Sequence, residues 1–360
     1  MKRIGILTFH RANNLGAVLQ AAALCRYLNE HVGNTEIIDF VPNNNVPRNF
    51  PGMKILRKLK LGIITLKKDS SVIRTEKFEK FQHENYTLSA KTYYGDQGMA
   101  EADGKYDLLI SGSDQILNTT LSGCSESFYL AFEDKAEKIS YASSFGRTEI
   151  TDEEKRLIRA ELPKFKALSF REESGRKIVN ELTGVDGTVV VDPVFLLSRE
   201  DLEKRCNGDR SAQKYLFVYA MEATPVLKMA ILEAQKKFQL PVVMVKGGSQ
   251  YPDIEARKDD CCGPGEFLLY IRNAECVITN SFHGTAFSII FGRKLICVAH
   301  SKRNARLESI VELTGNTGKI VEPSTEAEKV MEMLIDGEKG YLAMSGMIEE
   351  SKRYLQQSVK

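Results

Sequence analysis

The sequence predicts an α/β protein with two Rossmann-like domains that face each other across a central cleft. Short apolar runs alternate with stretches that carry apolar residues at helical spacing, and this alternation runs through the chain twice. The length of 360 residues fits two domains that each bury a core. We place the domains at residues 1–170 and 171–340, and we expect a last helix at 341–360 to pack back onto the first domain.

The first series opens with the strand RIGILTF (3–9) and the alanine-rich helix GAVLQAAALCRYLNE (16–30). The second series opens with the strand KYLFVYAM (214–221) and includes the strand CVITNS, followed by the helix HGTAFSIIFG. Strands that alternate with helices form a parallel sheet whose ligand-binding loops follow the carboxyl ends of the strands. Functional side chains are therefore expected just after the strands.

Composition excludes several classes of function. The 50 basic and 48 acidic residues leave a net charge of +2, which gives no case for a nucleic-acid partner. The seven cysteines form no C-x-x-C pair and no zinc-site spacing with histidine, so no metal is predicted. Cys25, Cys276 and Cys297 lie in apolar runs and are expected to be core thiols.

No apolar run approaches the roughly 20 residues that span a bilayer, and the basic start has too short an apolar run for a signal peptide. The expected location is therefore the cytoplasm. Residues 54–68 combine basic and apolar side chains, a composition that can lie on the anionic inner face of a membrane. Gly62 and the nearby prolines weaken any helix there, which favours a solvated insertion.

Two stretches of the first domain offer polar groups after a strand. In HRANNLGAVLQ, Asn14 and Gly16 open a helix, either as an ordinary cap or as a cradle for a phosphate or sugar hydroxyl. In LLISGSDQILN, Asp114 either caps the next helix or accepts a proton from an acceptor hydroxyl. The ligand that carries this acceptor hydroxyl is expected to contact Asn14, Gly16, Ser113, Gln115 and, at the end of the strand in SYASSFG, Ser144.

Arginines follow two other strands. Arg171 in SFREESG can fork onto a carboxylate or phosphate, or it can pair with Glu172 and Glu173. Arg303 and Arg306 follow the strand KLICVAH and are further candidates for the same anion, with solvated helix residues as the alternative.

The stretch VITNSFHGTAFSIIFG places a histidine between a buried strand and a helix. His283 is expected at the amino terminus of that helix, after Ser281 and beside the free amides of Gly284 and Thr285. Free amides and the helix dipole favour an anion at such a position. We therefore predict that His283 contacts a ligand.

Six stretches in order resemble the polysaccharide pyruvyl transferase family: NNLGAVLQAAAL, DLLISGSDQILN, ISYASSFG, SFREESG, VVDPVFLL and ITNSFHGTAFSIIFGRKLICV. They extend from residue 13 to residue 298, and Leu117 stands where many relatives carry tryptophan. The resemblance implies a GT-B-like fold and transfer of pyruvate from phosphoenolpyruvate to two hydroxyls of a sugar, as a ketal. By this resemblance, His283 and Arg171 are similar to family residues that contact the phosphoenolpyruvate donor. The resemblance implies no metal and no cofactor, with phosphoenolpyruvate as the co-substrate.

The roles expected in that chemistry follow from what it requires. Ketal formation needs a general acid and a general base, so we assign His283 to the acid or to phosphate neutralisation, and Asp114 to the base or to orientation of the acceptor. Arg171 is assigned to the carboxylate or phosphate of the donor. The acceptor is either a soluble sugar or a lipid-linked oligosaccharide. Two alternatives stay open at the level of sequence: a nucleotide-sugar glycosyltransferase of the same architecture and a non-catalytic sugar- or anion-binding protein.

Overall fold

The computed structural model describes residues 2–46, 69–208, 213–245, 251–301 and 304–360. Thirteen strands form the frame of this part of the chain. In chain order the strands are β1 Ile4–Leu7, β2 Thr35–Val41, β3 Leu88–Tyr94, β4 Leu108–Ser111, β5 Glu137–Ser140, β6 Ser169–Phe170, β7 Thr188–Val189, β8 Leu216–Tyr219, β9 Val242–Val245, β10 Arg257–Lys258, β11 Cys276–Thr279, β12 Lys294–Cys297 and β13 Ile335–Asp336.

Two sheets hold most of these strands. The first sheet has the order β3-β2-β1-β4-β5 and is parallel throughout. The second has the order β10-β9-β8-β11-β12-β13 and is parallel except for the β12–β13 pair. A separate pair, β6-β7, lies beside the first sheet, where Ser143 bridges Phe170. Because the strands are parallel, the carboxyl ends in each sheet share one edge.

Helices connect and cover these strands. They are α1 Leu15–His31, α2 Ser70–Asn85, α3 Gly95–Met99, α4 Thr119–Ser122, α5 Asp152–Glu161, α6 Glu173–Thr183, α7 Arg199–Glu203, α8 Pro225–Phe238, α9 Pro264–Asn273, α10 Phe282–Ile290, α11 Ala305–Leu313 and α12 Gly337–Ser358. Short 3₁₀ segments add Pro193–Leu196 and others. Within the described ranges, none of the helices combines the length and apolar character that a membrane span requires.

Central strands are apolar because both of their faces are covered. The four residues of β1, IGIL, are buried, and so are the four of β11, CVIT, as expected for parallel strands between layers of helix. Cys25, Cys276 and Cys297 are buried, which confirms the prediction that these thiols belong to the core. The predicted positions of β1, α1 and β11 agree with the structure to within two residues.

The C-terminal helix α12 contacts the first sheet and α1. Tyr354 donates a hydrogen bond to the carbonyl of Ser140 at 3.3 Å, and Gln356 donates to the hydroxyl of Tyr27 at 3.0 Å. Ser351 accepts a hydrogen bond from the amide of Val191 at 3.0 Å. The helix therefore joins segments that are far apart in the chain, while the domain boundaries stay a prediction.

Candidate active site

The strand-end residues of both sheets meet in a small cleft of about 80 Å³. Residues that follow β1 and β4 form one wall, and residues that follow β11 and β12 form the other. The side chains that matter most for the chemistry are Asn14, Asp114, Gln115, Ser281, Phe282, His283, His300 and Arg306. Loops that the sequence placed at strand ends thus converge from both halves of the chain.

Arg171 lies behind this cleft, almost fully buried at 4% exposure. Its Nη2 donates to the Oγ of Ser113 at 2.7 Å and lies 2.8 Å from Oδ2 of Asp192, and its Nη1 lies 3.7 Å from Oδ1 of Asp114. The guanidinium Nε and Nη1 have no hydrogen-bond partner among the described residues. A buried arginine with two unused donors is prepared to bind an anionic group.

The alternative that Arg171 pairs with its neighbours Glu172 and Glu173 is wrong. Glu173 pairs with Arg176 at 2.8 Å, three residues along α6. Glu172 turns inward and accepts a hydrogen bond from Ser144 Oγ at 2.6 Å. Both glutamates are therefore engaged elsewhere.

His283 lies within the first turn of α10, which begins one residue earlier than predicted, at Phe282. Its Nε2 is 3.6 Å from Oδ2 of Asp192 and has no hydrogen-bond partner in the part of the chain that the structure describes. The other edge of the ring lies against α1, where a Cβ on Gly16 would be 2.0 Å from Nδ1. Only glycine leaves room there, so the predicted contact residue Gly16 makes space for the imidazole.

Phe282 forms a platform for two arginines that sequence reasoning did not connect. The guanidinium carbons of Arg171 and Arg306 lie 4.8 Å and 5.8 Å from the centre of its ring, within the range of a cation–π contact. The Arg306 side chain is only 11% exposed, and its Nη1 lies 3.8 Å from Oδ1 of Asp114. The alternative that Arg306 is a solvated helix residue is therefore wrong, whereas Arg303 falls outside the described residues.

The prediction that the amides of Gly284 and Thr285 are free for an anion is wrong. Ser281 is the N-cap of α10: its Oγ accepts from the amide of Gly284 at 3.4 Å, and its carbonyl accepts from the amide of Thr285 at 2.9 Å. Both groups are also buried. Positive charge in this cleft therefore comes from side chains rather than from these two amides.

Asn14 and Asp114 differ in how their side chains are used. Asn14 caps α1 by accepting from the amides of Gly16 and Ala17 at 3.0 and 3.3 Å. Asp114 caps no helix, because Asn118 caps the next one, α4. Asp114 instead adopts a left-handed φ of +74° and accepts from the amide of Gln115 at 2.9 Å, at the surface of the cleft.

Ser113 and Ser144 are completely buried behind the cleft wall. Ser113 accepts from Arg171 and donates to the carbonyl of Ala142 at 3.3 Å, and Ser144 supports Glu172. Each serine thus holds a neighbouring element in place. Among the predicted acceptor residues, Asn14 and Gln115 are the ones that line the cleft.

The buried carboxylate of Asp192 is the principal residue that sequence reasoning left without a role. It follows β7 and caps the segment Pro193–Leu196, with Oδ1 accepting from the amide of Val194 at 3.1 Å. Burial alone would raise the pKa of Asp192, but the charges of Arg171 and His283 lower it to about 2. The signal was present in VVDPVFLL, where this aspartate occupies a strand end like the other site residues.

A second cavity of about 260 Å³ adjoins the cleft. The two spaces share three lining residues, Asn14, Asp114 and Gln115. Phe9 and Arg11 also line the second cavity, so it combines an aromatic ring with hydrogen-bond donors. Among the described residues, no cluster of three or more histidines, cysteines or acidic residues is arranged to hold a metal ion.

Solved structures define the class of protein. UDP-GlcNAc 2-epimerase from Neisseria meningitidis, solved with UDP-GlcNAc bound, is 10% identical and has a TM-score of 0.52, with 100% of this chain and 99% of the other covered. A putative UDP-N-acetylglucosamine 2-epimerase from Listeria monocytogenes is also 10% identical, with a TM-score of 0.50 and coverage of 99% and 91%. These likenesses show the fold alone, and that fold is GT-B.

The family follows from a match along most of the chain. The model of the family described as polysaccharide pyruvyl transferase matches residues 14–302, so the chain belongs to that family and is a transferase. No curated protein matches the chain. The predicted family and the GT-B-like arrangement of two parallel sheets are confirmed.

Proposed function

We propose that the enzyme transfers pyruvate from phosphoenolpyruvate to two hydroxyls of one sugar, in a polysaccharide or its precursor, and releases phosphate. The observation that carries this proposal is the cluster of cationic side chains around the small cleft. Arg171 lies behind the cleft with two hydrogen-bond donors that have no partner among the described residues, and Arg306 and His283 line the cleft. A small, multiply charged anion needs such a set of side chains and no nucleotide pocket.

The proposed reaction forms one bond to C3 and two bonds to C2 of phosphoenolpyruvate, and it breaks the bond from C2 to the phosphate oxygen. His283 donates a proton to C3 of phosphoenolpyruvate, which becomes the methyl group, while one acceptor hydroxyl attacks C2 and Asp114 accepts its proton. The second hydroxyl then attacks C2, the bond from C2 to the phosphate oxygen breaks, and the proton of this hydroxyl leaves with phosphate. The proton that Asp114 accepted passes through solvent to His283, which replaces the proton spent on the methyl group and returns the enzyme to its starting state.

The positions of Asp114 and Arg171 support this assignment. Asp114 lines both the cleft and the larger cavity, where a base must stand to act between donor and acceptor. Its Oδ1 also lies within 4 Å of Arg171 and Arg306, so an anionic donor competes with Asp114 for both arginines. Donor binding would thereby loosen the contacts of Asp114 with the arginines and free its carboxylate for the acceptor hydroxyl.

The acceptor sugar is assigned to the 260 Å³ cavity. This volume lies just below the roughly 300–1,000 Å³ typical of drug-sized ligands, which fits a single sugar residue. Arg11 is held by Asp39 through Nε at 2.6 Å and Nη2 at 2.5 Å, which directs Nη1 away from that carboxylate. Phe9, Arg11, Asn14 and Gln115 together offer an apolar face and several hydrogen bonds to a ring with hydroxyls.

The enzyme is also proposed to act in the cytoplasm, where phosphoenolpyruvate is available, on a soluble sugar or a lipid-linked oligosaccharide. The basic and apolar stretch 54–68 would support peripheral contact with the inner membrane face in the second case. That stretch lies outside the described residues. Deletion of 54–68 should lower sedimentation with anionic vesicles if the contact exists, and unchanged sedimentation would contradict it.

A nucleotide-sugar glycosyltransferase is the second candidate function. It is favoured by one observation, the GT-B likeness to an epimerase that was solved with UDP-GlcNAc bound. This reading predicts saturable binding of a nucleoside diphosphate. A non-catalytic binding protein would release no phosphate from any pair of substrates.

The test is phosphate release from phosphoenolpyruvate across a panel of glycosides, with the pyruvylated product identified by mass spectrometry. We expect the wild type to release one phosphate for each ketal, and Arg171→Ala to release none. Arg176→Ala is the matched control, because that arginine lies five residues away and pairs with acidic side chains at the surface. Equal activity of Arg171→Ala and the wild type would contradict the assignment.

A further inference from the structure

Asp192 joins the two residues that are proposed to bind the donor. Its side chain is wholly buried, and Oδ2 lies 2.8 Å from Nη2 of Arg171 and 3.6 Å from Nε2 of His283. Oδ1 is fixed by the amide of Val194. One carboxylate of fixed orientation therefore faces both cationic groups.

The charge of this carboxylate is permanent under working conditions. Burial alone would raise the pKa of Asp192, but Arg171 and His283 lower it to about 2, so the group is ionised throughout the neutral range. A buried charge of this kind stabilises the cations beside it and orients them. Asp192, like Arg171, lies behind the cleft, and a carboxylate would repel an anionic donor, so Asp192 acts through Arg171 and His283 rather than on the donor itself.

The geometry distinguishes the two nitrogens of His283. Nε2 faces Asp192, and Nδ1 lies on the side of Gly16 and the start of α1. A carboxylate accepts a proton from the nitrogen that faces it, which leaves the other nitrogen as the one that gains and loses a proton. Nδ1 is therefore the atom available for acid chemistry.

We propose that Asp192 is a positioning residue that holds His283 with its proton on Nε2 and aligns the guanidinium of Arg171 for the donor. The inference rests on the proposed function, because both partners act on phosphoenolpyruvate in that account. The separation of 3.6 Å is longer than a hydrogen bond, as is common for catalytic pairs before a ligand closes the site. Donor binding is expected to shorten it.

Asp192 would be equally buried if its contacts with Arg171 and His283 served only to stabilise the fold. The test therefore measures which nitrogen of the His283 ring carries the proton. Two-bond ¹H–¹⁵N correlation spectra of ¹⁵N-histidine-labelled wild type report which ring nitrogen of His283 carries the proton. We expect the proton on Nε2 at high pH, and we assign the resonance with His283→Ala. A proton on Nδ1 would overturn the proposal without any need for a variant that folds.

The second measurement is the affinity of Asp192→Asn for phosphoenolpyruvate as a function of pH. In this variant the side-chain oxygen of asparagine can still accept the hydrogen bond from the Val194 amide. We expect affinity to fall about 10- to 100-fold, because two donor-binding side chains lose the carboxylate that orients them. Removing the negative charge that faces both donor-binding side chains should also change how the affinity depends on pH. The other charged or titratable groups around this cleft, Asp114, Glu222, His300, Arg171 and Arg306, are the same in both proteins.

Asp39→Asn provides the matched control, because Asp39 also contacts a histidine and an arginine at a site that does not include the donor residues. We expect it to leave the pH profile of donor affinity unchanged. The same profile in Asp192→Asn and in the wild type would overturn the proposal. Absence of phosphoenolpyruvate binding in the wild type would instead contradict the proposed function, and the tautomer of His283 would still test its pairing with Asp192.

Discussion

Two clusters of histidine, aspartate and arginine within the described ranges differ in how many of their hydrogen bonds are made. In the first, Asp39 accepts from His10 at 3.0 Å, from Arg11 at 2.6 and 2.5 Å, and from Thr92 at 2.5 Å. Burial alone would raise the pKa of Asp39, but these partners lower it well below its usual value. The first cluster is thus satisfied by the protein itself.

The second cluster, formed by Asp192, Arg171 and His283, leaves polar atoms without partners. Among the described residues, the buried atoms Nε and Nη1 of Arg171 and Nε2 of His283 make no hydrogen bond, and Oδ2 of Asp192 has the ion pair with Nη2 of Arg171 at 2.8 Å but no hydrogen bond. Buried polar groups are nearly always paired in folded proteins, so a group of such exceptions needs an explanation. The first cluster is complete without the donor, whereas the unpaired donors of the second support the proposal that it binds an anionic ligand.

Replacing the arginine of each cluster should produce the largest difference in donor affinity between the two clusters. Arg171→Ala should abolish phosphoenolpyruvate binding and lower the free energy of unfolding by about 3–5 kcal/mol, because Asp192 stays buried without its cation. Arg11→Ala should leave donor affinity unchanged. Isothermal titration and urea unfolding measure both quantities, and equal donor affinities in the two variants would remove the distinction between the clusters.

A methyl group at Gly16 should act through His283. Gly16→Ala places a Cβ 2.0 Å from Nδ1, so the ring must move and donor affinity should fall by about tenfold or more. The control is Gly346→Ala in α12, where a Cβ meets nothing within 4 Å. That control should raise the free energy of unfolding by about 0.5–1 kcal/mol. Normal donor binding by Gly16→Ala would show that the position of the ring is not critical.

Asp39→Asn should change stability and its dependence on pH. Because the pKa of Asp39 is lower in the folded state, its contribution is present above the unfolded value near pH 4 and is lost as the pH falls further. We expect a loss of about 2 kcal/mol at pH 7 that shrinks towards pH 3, measured by urea unfolding. A stability difference that is constant between pH 7 and pH 3 would contradict this sign.

The thiols should show the smallest effect. Burial raises the pKa of Cys276 and Cys297 to about 12, whereas Cys124 is exposed. At pH 8 iodoacetamide should modify Cys124 in the native protein and should reach Cys276 and Cys297 only after unfolding. Peptide mass spectrometry measures the modification, and donor affinity should be unchanged by it.

Much of the site was predictable because parallel strands bring their carboxyl ends to one edge. Asp114, Arg171 and His283 follow three different strands, and they meet as strand-end residues should. The distribution of hydrogen bonds within that edge was not predictable. Ser281 satisfies the amides of Gly284 and Thr285, and the side chain of Phe282 lies beneath two arginines, which only tertiary packing decides.

Asp192 and Gly16 show a second limit of the sequence. An aspartate before proline is an ordinary cap, and a glycine at a helix start is an ordinary turn residue, so neither pattern alone specifies a partner. Their roles depend on the position of His283, which is distant in the chain from both. The GT-B arrangement could be predicted from the alternation of strands and helices and from the resemblance to the family. The contacts between the two halves of the chain depend on tertiary packing and could not be predicted in this way.

The central claim is that the second cluster binds the anionic donor, and thermal unfolding of the wild type and His283→Ala tests it most directly. Phosphoenolpyruvate at 100 times its dissociation constant should stabilise the wild type by roughly 2.7 kcal/mol. We expect that stabilisation to be lost in His283→Ala, with no effect of uridine or cytidine diphosphate on either protein. Stabilisation of the wild type by a nucleoside diphosphate and not by phosphoenolpyruvate would contradict the account.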